Sequence, residues 1–478
     1  MKGGEQRGDK RGAQLHNFLA TCPLFHCEKV NKEDEMGKSE RDTELEELNA
    51  IPDERRSIPP WSYIALWWSS LIVVQAFAIG FFGVYPQGQL NVTQAFVALI
   101  CSAIVLALLF TLNCFPGYKT GIPFAVQARS SFGVRGAKIT TVLRALPAFA
   151  WYGIGNWIGA LAINAITQSL WGFGNTWVYF LIFLVLQTYL AIRGIKMIKY
   201  FDTVAAFIVA ILIGYTLFTI MRSGAIKGEA FTYPGSWGYP FLALFATGVA
   251  GVIPGILNIS DVSRHLKKST GSGNAWAGHM IGIAPPWFYM LFVGIIFGIA
   301  TGTADPVAAI MELAPSAAIG VAMLIFVLGA QISTNLTLNI LAPSHAIQDL
   351  INVKWSIGVI ITGVLSLATA PWVLFTSANF FTFMNTYSVF LGPIIGVLLA
   401  DYWVVRKRQV DVEASYDTKV GSKYWYKGGF SISAIASFVI GGVASIPFID
   451  ISWIIGLPVG FVLYIILKMV VKIDRDAR

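Results

Sequence analysis

Apolar runs of about twenty residues recur along most of the chain, separated by shorter polar connections. Their centres fall near residues 72, 104, 152, 184, 210, 250, 287, 329, 362, 388, 437 and 460. Runs of this length match the hydrocarbon thickness of a bilayer when coiled as helix, so the pattern predicts twelve membrane-crossing helices. Two runs depart from a uniform helix. The sixth reads FATGVAGVIPGILNISD over 245–261, with Gly248, Gly251, Pro254 and Gly255 close together. Proline removes a backbone donor and crowds the preceding turn, and glycine tolerates unusual dihedrals, so a break is expected there. The first run, WSYIALWWSSLIVVQAFAIG over 61–80, carries Ser69 and Ser70 at its middle, a milder form of the same signal. Backbone groups freed inside a bilayer persist only where protein buries them or where they line a cavity. An irregular first and sixth span suggest two five-helix halves of opposite topology, followed by two C-terminal helices.

Composition agrees with this pattern. The 478 residues are 55% hydrophobic and 13% charged, with a mean hydropathy of +0.64. So many long runs exceed what one soluble core can bury, and an all-α integral membrane protein is expected. The net charge of +8 would suit a nucleic-acid partner, but its placement argues otherwise. Basic residues gather in alternate connections: Lys119, Arg129, Arg135, Lys138 and Arg144 after the second run, and Arg193, Lys196 and Lys199 after the fourth. Arg264, Lys267 and Lys268 follow the sixth, and Arg406, Lys407 and Arg408 the tenth. Connections after the first, third, seventh, ninth and eleventh runs hold no Lys or Arg, and only Arg222 and Lys227 break the alternation. This positive-inside pattern places both termini in the cytoplasm of a multi-pass protein, with the cell membrane as its expected location.

Residues 1–56 form a compositionally separate, highly charged stretch that reads as a solvated cytoplasmic tail, with a short helix possible in 40–49. The membrane domain is expected over 57–472, followed by the tail 473–478. The segment CPLFHC (Cys22, His26, Cys27) lacks a second ligand pair, so no metal site is expected there. The start of the chain lacks the apolar region of a cleavable signal. The connection 117–139 alternates apolar and basic residues and reads as an amphipathic stretch at the inner surface.

The eighth run raises the chemical question. Residues 329–341, GAQISTNLTLNIL, place Gln331, Ser333, Thr334, Asn335, Thr337 and Asn339 in an otherwise lipid-soluble segment. At about 100° per residue, Gln331, Asn335 and Asn339 form one stripe, and Ser333, Thr334 and Thr337 an adjoining one with Ala330. Either stripe serves helix–helix hydrogen bonding or it lines a site. No Asp or Glu lies in the middle of the first, third, sixth or eighth run, so a titratable relay has no obvious residue; Asp261, Glu312 and Asp401 sit at run ends. Neutral hydroxyls and carbonyls freed at a helix break are ligands of the kind that suits sodium. In the third run, LPAFAWYGIGNWIGALAI over 146–163, Trp151, Tyr152 and Trp157 lie among glycines; Trp151 and Trp157, well within the span, either pack against neighbouring helices or offer a π-face for a flat ligand. The five histidines (16, 26, 265, 279 and 345) show no metal-ligand spacing and no acid–base pair sits within the membrane, so neither an enzyme nor a cofactor is expected.

Four segments together resemble the nucleobase–cation symporter-1 family: GIPFAVQARSSFGVRG (121–136), RALPAFAWYGIGNWIGALAI (144–163), STNLTLNILAPS (333–344) and LADYWVVRKR (399–408). The resemblance implies twelve helices in the sodium-coupled amino-acid transporter fold, ten of them in the 5+5 inverted repeat. It also implies carriage of a nucleobase, hydantoin, allantoin or related vitamin. Position by position, it places sodium on the backbone carbonyls of Ser69 and Ile72 and on Ala330, Ser333 and Thr334. The substrate amide falls on Asn339 and a stacking ring on Trp151. Two positions depart from the hydantoin carrier's pattern: a substrate-contacting glutamine is replaced by Gly155, and a second stacking tryptophan aligns near Val252. Losing a buried amide removes both affinity and discrimination, which argues against hydantoin or allantoin as the ligand and for another nucleobase-like or vitamin-like ring. Gln75, three residues past Ile72, and Asn156, beside Gly155, are the candidates to replace the lost amide. The expectation is a monomeric sodium symporter of a small planar nitrogen heterocycle. Proton coupling, or a sensor binding the same ligands, are the alternatives. Asp261 and Arg264 at the end of the sixth run read either as an inner gate or as a helix-end cap.

Overall fold

The computed structural model describes residues 49–193, 198–223, 226, 228–351 and 353–474. The expected tail over 1–48, with Cys22, His26 and Cys27, lies outside the described residues, as do Lys196, Lys227 and residues 475–478. The described chain is helical, with only isolated bridges between extended residues. The first run is two helices, α1 (Pro60–Leu71) and α2 (Ala76–Gly83), bent by 61° across the intervening residues. Helix α3 (Val92–Thr120) starts on a capping box in which Asn91 and Gln94 satisfy each other's backbone amides. The connection 117–139 contains α4 (Phe124–Phe132), whose Val126, Ala128 and Phe132 are buried in protein and not laid on the surface as expected.

The third and fourth runs are α5 (Gly136–Trp171) and α6 (Thr176–Arg193), and the fifth is α7 (Ile198–Ser223). The sixth is divided into α8 (Tyr239–Ala250), α9 (Ile253–Leu257) and α10 (Ile259–Ser263). The seventh comprises α11 (Gly273–Met280) and α12 (Ala284–Thr301). The eighth is α13 (Ala317–Thr334), a π-helical turn over Asn335–Asn339, and α14 (Leu341–Ile351). Then come α15 (Trp355–Ala368), α16 (Ser377–Leu399) with a second π-helical turn over Ala400–Val405, α17 (Ile432–Ser445) and α18 (Ser452–Ile465). By length and composition, seven helices among the described residues are long and apolar enough to cross a membrane, or eight if the bent first pair is one span. The last of these runs from Ile432 to Val471 and holds both final expected spans, folded back on each other at a kink on Phe448.

Without water to drive apolar association inside a bilayer, helix contacts depend on small residues that let backbones approach. Helices α2 and α12 show this: a Cβ on Gly80 or on Gly294 would stand inside the facing backbone, at Leu291 and Phe77 respectively. Residues Asn49–Arg56, expected as solvated tail, instead lie on the basic end of the bundle. Ile51 donates its amide to Gly121 O (3.0 Å), Arg56 is buried, and Ile58 pairs with the backbone around Leu266.

Candidate ion and substrate site

The bend between α1 and α2 changes where backbone amides go. Ala76, Phe77 and Ala78 bond back to Val73, Val74 and Gln75, one residue short of α-helical spacing. Among the described residues, no backbone amide is hydrogen-bonded to the carbonyls of Ser69, Ser70, Leu71 or Ile72. The hydroxyls of Ser69 and Ser70 both turn back to Leu66 O at 2.8 Å, so it is the Ser69 carbonyl, and not its hydroxyl, that remains to ligate. Gln75, at the end of this break, exchanges two hydrogen bonds of 3.0 Å with Gln331 on α13. That reciprocal amide pair joins the break to the polar helix and uses one donor and one acceptor of each partner.

One turn beyond Gln331, Thr334 has a buried hydroxyl oxygen with no hydrogen-bond partner among the described residues. Ala330 and Ser333 are buried beside it on the same helix. A buried, unsatisfied hydroxyl is costly unless something supplies its partner. The set of freed carbonyls and neutral hydroxyls fits a desolvated monovalent cation. The described residues contain no group of three His, Cys, Asp or Glu side chains fit for a transition metal.

The aromatic and amide half lies where α5 meets the π-helical turn. Trp151 is half-buried, with Phe380 and Phe383 of α16 meeting its ring at 82° and 60°, centroids 5.7 and 5.9 Å away. Trp157 packs among Trp177, Phe180 and Trp372, away from this place. Asn339 donates to Asn335 Oδ1 (3.0 Å), and Asn335 donates to Tyr152 O (3.2 Å). Asn335 fills the space over Gly155: a Cβ there would lie 2.5 Å from Asn335 Oδ1. Asn156 faces the other way, donating to Tyr152 O (2.8 Å) and accepting from Gln187 of α6 (2.9 Å). Val252 sits in the break between α8 and α9, half-buried.

The chain matches, over residues 50–471, the family model described as permease for cytosine/purines, uracil, thiamine and allantoin. It is 30% identical over 429 residues to the hydantoin permease of Microbacterium maritypicum, covering 86% of both chains. The allantoin permease of Bacillus subtilis (strain 168) is 27% identical over 466 residues, covering 89% of this chain and 93% of that one. The chain belongs to this permease family. Its helical plan is that of Mhp1, a nucleobase-cation-symport-1 family transporter: TM-score 0.80 to the inward-facing form, at 26% identity, covering 89% of this chain and 94% of that one. Against the closed form with bromovinylhydantoin bound, the TM-score is 0.77 at 28% identity, covering 90% and 96%. These relatives are permeases and transporters, not enzymes.

Within the permease, the structure brings together Gln75 with Gln331, and Gly155 with Asn335 and Asn339. It leaves Asn156 and Trp157 facing α6. Of the pair read as an inner gate or a helix-end cap, Asp261 accepts the Phe124 amide at 2.7 Å, at the start of α4, and Arg264 donates to Asn49 O at 3.4 Å. Two buried ionic groups escaped sequence reasoning. Arg144, placed in a connection by its charge, is buried on α5 and donates to Asn258 Oδ1 (3.1 Å) and Leu338 O (3.3 Å), tying the sixth span to the π-turn. Asp401 accepts from Ser130, Ser131, Tyr464 and Arg406 at 2.7 to 3.0 Å, pinning α4 to the ends of α16 and α18. The family-like strings ARSSF and ADYWVVRKR held the partners, but no local pattern shows that they meet.

Proposed function

We propose that this permease is a sodium-coupled importer of a small planar nitrogen heterocycle, nucleobase-like or vitamin-like. Sodium would be held by the carbonyls of Ser69 and Ile72 with Ala330, Ser333 and Thr334, and the ring would stack on Trp151 and hydrogen-bond Asn339. The observation that carries the reading is the unpartnered, buried Thr334 hydroxyl one turn from the junction between the bent first span and α13. The bound ion would tie the first and eighth spans together and favour one state of an alternating-access cycle. A ligand shifts that equilibrium only by its difference in affinity between states. The first, second, sixth and seventh spans would rock against the third, fourth, eighth and ninth. The alternation of basic connections supports an orientation with both termini inside, in the cell membrane, and nothing in the reading needs more than one copy.

The test is accumulation of radiolabelled uracil, hydantoin, allantoin and thiamine in proteoliposomes. Uptake of one of them driven by an inward sodium gradient, and lost in choline, is the expected result. Uptake that follows a proton gradient and ignores sodium would replace sodium with protons. Saturable binding with no accumulation under either gradient would make the protein a sensor.

A further inference from the structure

The family resemblance would place a glutamine where this chain has Gly155, but the space over that glycine is not vacant. Asn335 occupies it, fully buried, in the π-helical turn where Ile340 donates its amide to Asn335 O across five residues (2.9 Å). A π-turn widens the helix locally, and such turns are frequent at functional sites. Both ends of the Asn335 carboxamide are used: its nitrogen donates to Tyr152 O and its oxygen accepts from Asn339. Because Tyr152 O can only accept, the Asn335 amide is fixed with its nitrogen toward α5 and its oxygen toward Asn339. Asn339 must then offer its own nitrogen to Asn335. Its carbonyl oxygen is left over, and among the described residues nothing donates to it. Asn339 as a whole is half-buried, not sealed in the core as Asn335 is.

We propose that Asn335, seated in the space Gly155 leaves, is a positioning residue that fixes Asn339 as a hydrogen-bond acceptor, so the permease selects rings presenting an N–H donor there. This deepens the functional reading, resting on Asn339 as the residue that meets the ring. The substrate class narrows to lactam-like or imide-like heterocycles with an unsubstituted ring N–H, a class that readmits hydantoin and allantoin, because Asn335 and Asn339 then supply the amide contact that Gly155 lacks. A ring offering only acceptors at that edge leaves the Asn339 carbonyl unpaired in a dry site, which costs affinity. A side chain at Gly155 would press on the Asn335 carboxamide and shift it, and with it the hydrogen bond that orients Asn339.

The experiment measures binding by ligand-induced thermal shift and by competition, using uracil and hydantoin with their separate N-methyl isomers. In the wild type, one N-methyl isomer of whichever parent binds should fall by about tenfold or more. Asn335→Ala and Gly155→Ala should lower parent affinity and shrink that discrimination to within about threefold, which a purely steric rejection of the methyl group would not do. Gly155→Gln alone should lose binding, and combining it with Asn335→Ala should recover at least about fivefold, because the new amide then has room. Cooperative melting and monodisperse elution of each variant separate loss of fold from loss of recognition, and Asn335→Ala serves if Gly155→Ala does not fold. Discrimination unchanged in Asn335→Ala, or equal binding of every N-methyl isomer by the wild type, overturns the inference while leaving the carrier reading intact. Failure of both unmethylated parents to bind removes a lactam ligand altogether, and the inference with it.

Discussion

The first and sixth spans both interrupt their helical hydrogen bonding inside the membrane, and the freed carbonyls meet opposite fates. Around the sixth span, side chains from neighbouring helices take them up. Trp287 donates to Gly248 O (2.8 Å), Tyr387 to Ala250 O (2.7 Å), and Asn113 to Ile256 O and Leu257 O (2.6 and 3.3 Å). Around the first span, among the described residues, no backbone amide bonds the Ser69–Ile72 carbonyls and the buried hydroxyl of Thr334 has no partner. A bilayer penalises unsatisfied backbone equally in both places. A broken helix is therefore not a ligand site by itself; it becomes one where the fold withholds the donors that would close it. In the sixth span neighbouring side chains take up the carbonyls of Gly248, Ala250, Ile256 and Leu257, and in the first the Ser69–Ile72 carbonyls are left for the cation proposed above.

The sharpest way to break this comparison is to unplug the sixth span. Asn113→Leu keeps the branched shape, in a somewhat larger side chain, but removes both donors to Ile256 and Leu257 and the acceptor for Gln127 Nε2 (3.1 Å). Several buried polar atoms are stranded together, so a loss of about 3 kcal/mol in stability is expected, the same in sodium and in choline. The check is detergent thermal or chemical denaturation in both salts. A loss confined to sodium would mean that the sixth span also holds the ion.

Thr334→Val probes the other side, and there the sign differs. In choline, removing a hydroxyl that has no partner strands nothing, so the melting temperature should stay level or rise. In sodium, the stabilisation by bound ion follows RT ln(1 + [Na]/Kd) and should shrink. Loss of one ligand should move half-saturation upward by about tenfold, or roughly 1.4 kcal/mol. Sodium titration of the melting temperature reads this directly. A variant less stable in choline would place Thr334 with the structural donors and remove the contrast.

Much of this arrangement was legible because it is periodic or local. Apolar runs gave the spans, Gly and Pro gave the sixth break, and the polar stripe of the eighth run gave the face that meets the first span. The first break, marked only by Ser69 and Ser70, was placed a few residues early; the bend spans Ile72–Gln75. What stayed hidden depends on residues far apart in sequence. Gln75 looked like a spare amide until its pairing with Gln331, 256 residues away, used it. Gly155 looked like a deletion until Asn335, from another helix, was found in its place. Arg144 looked like a topology signal because charge counts cannot tell a connection from the buried foot of a long helix. A π-turn, too, has no composition of its own: it shifts the register of Asn335–Asn339 by one residue, which a stripe drawn at 100° misses.

The smallest expected effect lies outside the membrane, where satisfied polar groups can be compared with those of the sixth span. Asp53 holds Lys268 at 2.7 Å and Arg56 at 2.9 Å, fastening the segment before α1 to the connection after α10. The hydrogen bond from Lys268, with the nearby Arg56 charge, holds the Asp53 carboxyl below its ordinary value of 3.8. A lowered folded-state value gives stability that is present above the ordinary carboxylate range and fades as pH falls through the lowered value. Asp53 is 53% exposed, however, so solvent screens the pair. Asp53→Asn should therefore cost less than about 1 kcal/mol, be weaker still in high salt, and leave stability equally flat between pH 5 and 8. Melts across pH and salt check it, with the sodium shift of the melting temperature recorded alongside. If Asp53→Asn altered that sodium shift as Thr334→Val should, the coupling ion would be sensed at the basic end of the bundle, and the cradle in the first span would not be where sodium acts.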